Sequence, residues 1–369
     1  MGEISHITLA PTMSALFGSR LSLIRETLKK KKIDSFLVTD MTNIRYLTGF
    51  SGSSGFLFLT EKEHVFATDF RYKDQSQQEV KGWDIIIETG NRIQTIKSLC
   101  RKTGTKNLGF ESSISYLFYR QICRQGFQTT ATDHLIERLR AIKTSAEIDL
   151  MKKAVSRAEE AFLDVKPFIR EGTRERAVAL RLGNRLRKKG CRNIPFEIIV
   201  ASGSLSALPH ATPTDKKLQK GDLTIIDWGG EADGYYSDMT RTFLIRGQNL
   251  SRQKELYQIV LEAHRKATSA VVPGISAKQI DSAARTYISN AGYGGLFGHG
   301  TGHGVGLQVH ELPRISWNKS VTVRENMVFT IEPGIYLPGF GGVRIEDMVV
   351  VRKKKGEVLT SLRRELEIL

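Results

Sequence analysis

Two aspartates, two glutamates and a glycine run bearing three histidines are the residues of this 369-residue chain whose types and spacing could do chemistry. Asp227 ends the apolar run Leu223-Thr224-Ile225-Ile226, and Asp238 precedes the β-type run Thr240 to Ile245, with ten residues between the two acids. Gly229, Gly230, Asp233 and Gly234 lie between them and predict a hairpin that brings the carboxylates together. Paired anions repel unless one is protonated or a cation stands between them. Each aspartate taken alone also reads as a turn or cap residue. The segment Gly298 to Glu311 carries His299, His303 and His310 at spacings of four and seven, among glycines that let backbone approach a bound group. Imidazoles there could hold a metal or shuttle protons. A phosphate loop fits poorly, because no G-K-[ST] follows and no strand, glycine turn and helix surround the run.

Glu332 stands where Val328-Phe329-Thr330-Ile331 gives way to Pro333-Gly334, and Glu346 interrupts a strand expected over Gly342 to Val351. Charge inside such runs is costly without a partner. Arg344 is one available partner, so a buried salt bridge is the plain alternative for Glu346. Four carboxylates and one imidazole form an oxygen-rich set that suits Mn, Co, Fe or Zn. That is more negative charge than one ion normally needs, which implies two metals.

Strands and helices must position these groups. Phe196 to Ala201, Leu223 to Asp227, Thr240 to Ile245, Val328 to Ile331 and Val343 to Val351 are β-branched or aromatic runs bounded by glycine, proline or charge. Thr144 and Glu147 make a capping box ahead of Ile148, Met151, Val155, Ala158 and Phe162 at helical spacing, so a long amphipathic helix opens this half. Further helices are expected from Thr173 to Lys189 before Gly190, from Gln253 to Ala270 before Pro273-Gly274, and from Ala277 to Ala291 before Gly292. No regular βαβ rhythm appears, which predicts an α+β domain with a mainly antiparallel sheet.

A domain boundary is expected near Arg138 to Lys143. Upstream, strands at Ser35 to Thr39, Gly55 to Leu59 and His64 to Ala67 are separated by turn-rich Asp40 to Asn43 and Ser51 to Ser54. Helices near Ile93 to Arg101 and Tyr116 to Gln125 complete an α/β pattern. A helix from about Ser19, with Leu21, Leu23, Ile24 and Leu28 toward a core, ends in Lys29 to Lys32, read as a solvated helix end or an anion-binding patch.

Hydrophobic residues at 40% allow a real core and exclude a wholly disordered chain. Lys and Arg number 55 against 39 acids, a formal charge of +16. Nucleic acid would be the obvious partner for that charge, but the basic residues are dispersed and no recognition motif accompanies them. Cys100, Cys123 and Cys191 are odd in number and widely spaced, as expected of reduced thiols in the cytoplasm. No run of about 18 apolar residues predicts a membrane span. Met1 to Arg20 lacks a secretory pattern, and Gly2 lacks the hydroxyl residue of a myristoylation motif.

Taken in order, Asp227, Asp238, His303, Glu332 and Glu346 resemble the five ligands of the pita-bread metallopeptidases, the family of prolidase, aminopeptidase P, methionine aminopeptidase and creatinase. His299 to Glu311 is similar to its proline-peptidase signature. Leu208-Pro209-His210, Asp227-Trp228-Gly229-Gly230, Ser237 to Thr242, Ile331 to Gly334 and Val343 to Asp347 resemble its other blocks. Asn43 to Phe50 resembles the creatinase-type N-terminal domain, which methionine aminopeptidases usually lack.

The resemblance implies a creatinase-type domain over residues 1–138 and a pita-bread catalytic domain over 139–369. It implies that Asp227 holds one ion, His303 and Glu332 the other, and that Asp238 and Glu346 bridge both. Manganese is the expected metal, with cobalt, zinc or iron admissible. A hydroxide shared by the ions would attack the amide bond preceding proline, with Glu332 as general base. His210 and His310 would bind substrate and stabilise or shuttle charge. His299 is a candidate behind them, and Arg344 would orient a carboxylate or meet the substrate's carboxylate. A homodimer acting on proline-containing peptides follows by likeness. Members of the fold without metals act as binding proteins or, like creatinase, on a guanidino compound, but all five ligand types are present here.

Overall fold

The structure is a computed structural model that describes residues 13–369, with side chains from residue 17. The readings of Gly2 and of the first part of Met1 to Arg20 lie outside the described residues. The chain divides after Arg140 into two units.

In the first unit α1 (Met13–Lys30) precedes β1 (Ser35–Val38), α2 (Met41–Thr48), β2 (Phe56–Thr60) and β3 (His64–Asp69). α3 (Lys73–Glu79), β4 (Asp84–Glu88), α4 (Arg92–Lys102), β5 (Asn107–Glu111), α5 (Tyr116–Cys123), β6 (Gln128–Thr132) and α6 (Leu135–Arg140) follow. The six strands form one mixed sheet in the order β4-β3-β2-β1-β5-β6, so the α/β expectation holds. Asp40 to Asn43 is not a loop. Asp40 caps α2 by accepting the Asn43 N–H, and the helix runs on to Gly49 in the left-handed region. In α1, Leu21, Ile24 and Leu28 are buried at helical spacing, whereas Leu23 lies off that face and is exposed. The side chains of Lys29 to Lys32 are exposed.

The second unit opens with α7 (Ser145–Val165), whose Thr144–Glu147 capping box is formed on both sides. Ile148, Met151, Val155, Ala158 and Phe162 are all buried. α8 (Glu175–Lys188), β7 (Ile199–Ser202), β8 (Leu223–Trp228), β9 (Glu231–Ala232), β10 (Tyr235–Tyr236) and β11 (Met239–Leu244) come next. Then follow α9 (Ser251–Ser269), α10 (Ala277–Asn290), β12 (Gly302–Gly304), β13 (Glu311–Ile315) and β14 (Val328–Ile331). β15 (Gly334–Leu337), β16 (Gly341–Arg344), β17 (Asp347–Val351), β18 (Gly356–Val358) and β19 (Glu367–Ile368) complete the unit.

One sheet runs β19-β11-β8-β7 and another β13-β12-β14-β17-β18, antiparallel but for the β11–β19 pair. α7 packs on the first sheet, where Phe162 stacks on Trp228 at 4.5 Å and the Trp228 indole donates to the Ala158 carbonyl at 3.0 Å. Leu256, Val260, Ile280, Ile288, Phe329 and Val343 share the core between α9, α10 and the strands.

Val343 to Val351 is two strands in two different sheets, contrary to the single strand expected. Apolar residues continue on both sides, but the Glu346 N–H leaves the ladder for the Thr240 carbonyl at 3.1 Å, which turns the chain at the charged residue. Just past that break, the Asp347 carboxylate accepts from Arg241 at 2.7 Å, from Thr360 at 2.5 Å and from Arg364. Arg241 also donates to the carbonyls of Glu346, Leu362 and Arg363 at 2.6, 2.8 and 3.0 Å, tying the last residues under the sheets. Cys100 and Cys191 are buried, Cys123 is half-buried, and all three are free thiols.

Candidate metal centre

Asp227 and Asp238 are brought together by strand register, since β8 and β11 pair with Thr240 opposite Asp227 and Met239 opposite Trp228. The β9–β10 hairpin closes the connection between them. β12 delivers His303 beside β14, and the approach is so close that a Cβ on Gly302 would fall 1.8 Å from the Thr330 carbonyl oxygen, hence glycine there. Glu332 follows β14, and Glu346 occupies the break between β16 and β17.

Ligand atoms of Asp238, His303 and Glu346 lie within 4.8 Å of one another. His303 Nε2 is 3.3 Å from Glu332 Oε1 and 3.6 Å from Asp238 Oδ2. His303 Nδ1 faces the Gly304 carbonyl at 3.1 Å. A carbonyl only accepts, so the ring proton sits on Nδ1 and the Nε2 lone pair points at the acids, the tautomer a metal ligand requires. Asp227 Oδ2 accepts from Arg344 Nη2 at 2.6 Å, and its buried Oδ1 has no hydrogen-bond partner among the described residues. The hydroxyl of Thr240 donates to Glu346 at 2.7 Å and that of Thr330 to Glu332 at 3.2 Å.

Burial pushes Asp238 and Glu346 well above the usual carboxylate range, and neighbouring acids, Glu346 and Asp227 on the first and Glu332 and Asp227 on the second, add to it. Burial also raises Glu332 and lowers His303. Burial opposes the charge of Arg344, but Tyr336, Asp227, Glu332 and Glu346 hold it well above its ordinary value. The cluster therefore carries more acid than its single guanidinium balances. An orphaned carboxylate oxygen, an unprotonated imidazole nitrogen and surplus negative charge fit divalent cations.

All nine residues singled out in the sequence line one cavity of about 680 Å³: Asp227, Asp238, His303, Glu332, Glu346, His210, His299, His310 and Arg344. His310 meets His303 edge to face at 4.3 Å between centroids. Both ring nitrogens of His299 are engaged by groups other than the acids. Its Nδ1 donates to the Gly300 carbonyl at 2.8 Å, so Nε2 accepts from the Tyr336 hydroxyl at 2.8 Å, and Arg344 Nη1 donates to the same hydroxyl at 2.8 Å. Burial pushes Tyr336 up to about 12, which keeps it a donor. Arg344 also donates to Thr240 Oγ1 at 3.1 Å and to the Pro209 carbonyl at 3.2 Å, so every guanidinium nitrogen is engaged, and Glu346 acts on it through charge without a hydrogen bond.

Tyr336 and Arg314 were not singled out in the sequence. Arg314 opposes His303 in the β12–β13 register and lines the cavity, but only the fold places a residue four positions beyond His310 beside the centre. Asp281 of α10 also escaped notice; it accepts from Thr301 and from Arg285, which in turn donates to the His299 carbonyl at 2.7 Å.

Comparison with known proteins gives consistent matches. The model of metallopeptidase family M24 matches residues 149–353, and that of the creatinase/prolidase N-terminal domain matches residues 20–142. The Xaa-Pro dipeptidase of Pyrococcus horikoshii is 37% identical over 355 residues, 95% of this chain and 99% of its own. A solved Xaa-Pro dipeptidase from Bacillus anthracis superposes with a TM-score of 0.93 at 37% identity, covering 96% of this chain and 100% of that one. An X-Pro aminopeptidase from Thermotoga maritima gives 0.86 at 34% identity over 95% and 99% of the two chains.

Proposed function

This chain belongs to metallopeptidase family M24, and from that premise we propose that it hydrolyses the bond between an N-terminal residue and proline. The observation that carries the reading is the convergence of Asp238, His303 and Glu346 within 4.8 Å, with Asp227 and Glu332 beside them in the same cavity. Those five residues would hold two divalent ions, manganese first and cobalt, zinc or iron as substitutes, an order that suits four carboxylates and one imidazole. When bound, the ions supply Lewis-acid stabilisation of the negative charge that develops on the scissile carbonyl.

The chain's own groups do the rest. Glu332, which burial raises above its ordinary value, would act as the general base toward an attacking water. His210 and His310 line the cavity and would donate to substrate oxygens, and partial burial lowers His310 from its ordinary value. Tyr336 and His299 hold Arg344, and Arg344 holds Asp227, leaving Asp227 Oδ1 free for a cation. An amide to proline has no N–H and a rigid ring, so a preformed cavity recognises it where an enzyme that grips an extended backbone loses a donor.

The exposed Arg314 on the cavity wall suits the carboxylate of a short substrate. Arg314→Met is expected to raise KM for an Xaa-Pro dipeptide about tenfold and to affect a longer Xaa-Pro peptide less, the loss of about one charge-assisted contact. Equal effects on both lengths would remove Arg314 from that role.

Residues 1–138 form the accessory domain and 139–369 the catalytic one in this reading. A homodimer is part of the same reading, and the exposed Tyr116 and Leu117 of α5 would suit a subunit contact. Free thiols support a cytoplasmic setting.

Assay of purified protein against Xaa-Pro dipeptides, Xaa-Pro tripeptides and proline-free controls, each with Mn, Co, Zn and Fe and after chelation, tests the whole. Turnover restricted to proline substrates and abolished by chelator is expected. Activity indifferent to chelation, or absent with every metal, would refute it.

A further inference from the structure

Lys143 stands one residue before the Thr144 cap of α7, and its Nζ lies 3.4 Å from Glu311 Oε2, with the two side chains 1% and 4% exposed. Glu311 directly follows His310 in the chain, and its Oε1 accepts the Gln308 N–H at 2.9 Å. The carboxylate thus fills the inside of the turn between β12 and β13. Room there is so scarce that a Cβ on Gly306 would fall 2.5 Å from Glu311 Oε2. This turn begins where the β12–β13 register shifts between His303 and Gly304, and it brings the His310 ring back against His303.

Two further contacts tie the same helix start to the glycine turn through β10. The Gly306 carbonyl accepts the Tyr236 N–H at 2.8 Å, and the Tyr235 hydroxyl donates to Glu147 of the α7 capping box at 2.6 Å. Tyr235 and Tyr236 make up β10, just ahead of Asp238. Lys143 and Glu311 themselves line no part of the cavity. They are anchored elsewhere, Lys143 by its N–H to the Asn326 carbonyl at 2.9 Å.

We propose that the Lys143–Glu311 pair is a positioning clamp, through which the first turn of α7 fixes the glycine turn and thereby sets His310 for the reaction. A buried ion pair gains little stability over an apolar pair of the same shape, whereas its directional contacts fix one geometry. Loss of the ammonium removes this contact from Glu311, and the turn that the carboxylate braces loosens while the metal ligands stay on their strands. The effect on catalysis rests on the peptidase reading; the effect on the turn does not.

The test is a mutant cycle with Lys143→Met, Lys143→Arg and His310→Ala. Lys143→Met is expected to lower kcat by about 10- to 100-fold with bound metal at wild-type stoichiometry, the range seen when groups that orient catalytic side chains are removed. Lys143→Arg is expected to restore most of that loss. In a His310→Ala background, Lys143→Met is expected to change kcat by less than about twofold, because the clamp acts through His310. Amide exchange of metal-free protein, read by mass spectrometry, is expected to quicken over residues 304–310 and stay unchanged in α9 and α10. If Lys143→Met fails to fold, Lys143→Met combined with Glu311→Gln removes both charges of the pair and carries the same measurements.

A full kcat loss persisting in the His310→Ala background, metal loss that accounts for the kcat loss, or unaltered exchange over 304–310 would overturn the proposal. A wild type without proline-directed activity would refute the peptidase reading instead, and the exchange measurement would still decide whether the clamp exists.

Discussion

Asp238→Asn is expected to lose bound metal and turnover together, while its metal-free form becomes more stable than the metal-free wild type at neutral pH. Asp238 is within ligand distance of both His303 and Glu346, so its removal takes an anionic oxygen from the centre of the cluster. Lewis-acid stabilisation is worth several kcal/mol, and at about 1.4 kcal/mol per tenfold its loss lowers kcat/KM on the order of 10³-fold.

The stability effect has the opposite sign. Asp238 and Glu346 are held well above the usual carboxylate range in the fold by burial and by their acidic neighbours. An acid raised in the folded state contributes stability below its unfolded value, about 4, and loses it as pH rises through the folded value. Metal-free wild type should therefore lose stability from mildly acidic toward neutral pH, and Asp238→Asn should flatten that part of the profile. Thermal midpoints in chelator at two pH values, with metal content and kcat/KM, check both halves. A variant that keeps its metal, or whose metal-free midpoint falls below wild type at neutral pH, would contradict the account.

Arg344→Met should produce the next largest change, and most of it should appear without metal. Arg344 and Asp227 form a buried pair at 2.6 Å, and truncating one partner of such a pair costs about 3–5 kcal/mol because the other charge is left uncompensated. Cations at the centre would supply part of the missing charge, so the deficit measured by urea unfolding should shrink when metal is added. Turnover should fall because Asp227 loses the partner that orients it. A rise in KM for dipeptides with unchanged metal-free stability would instead favour direct contact between Arg344 and the substrate's carboxylate.

The acid cluster was legible because charge inside apolar strands is physically anomalous. Asp227 and Asp238 carried a turn between them, and two strands in antiparallel register are enough to join them. The Thr144 box and the Gly190 and Gly292 stops likewise act within one turn of the chain, and the helices end beside them. What stayed hidden depends on distant partners. Tyr336 looks like any strand aromatic until His299, 37 positions away, is found at its hydroxyl. Asp40 to Asn43 resembled a loop because a short helix has few periodic residues, and its burial comes from the rest of the first unit rather than from propensity. Glu346 was read inside one strand because apolar sequence cannot reveal a change of sheet.

The stitching of Arg241 and Asp347 to Leu362, Arg363 and Thr360 gives these residues an importance that their distance in sequence from the acids conceals. Arg241 belongs to the strand just after Asp238, and Asp347 adjoins Glu346, so both acids inherit their rigidity from a segment that does not line the cavity. A nonsense codon or a proteolytic nick shortly beyond β18 would therefore be felt at the centre of the enzyme rather than at its edge.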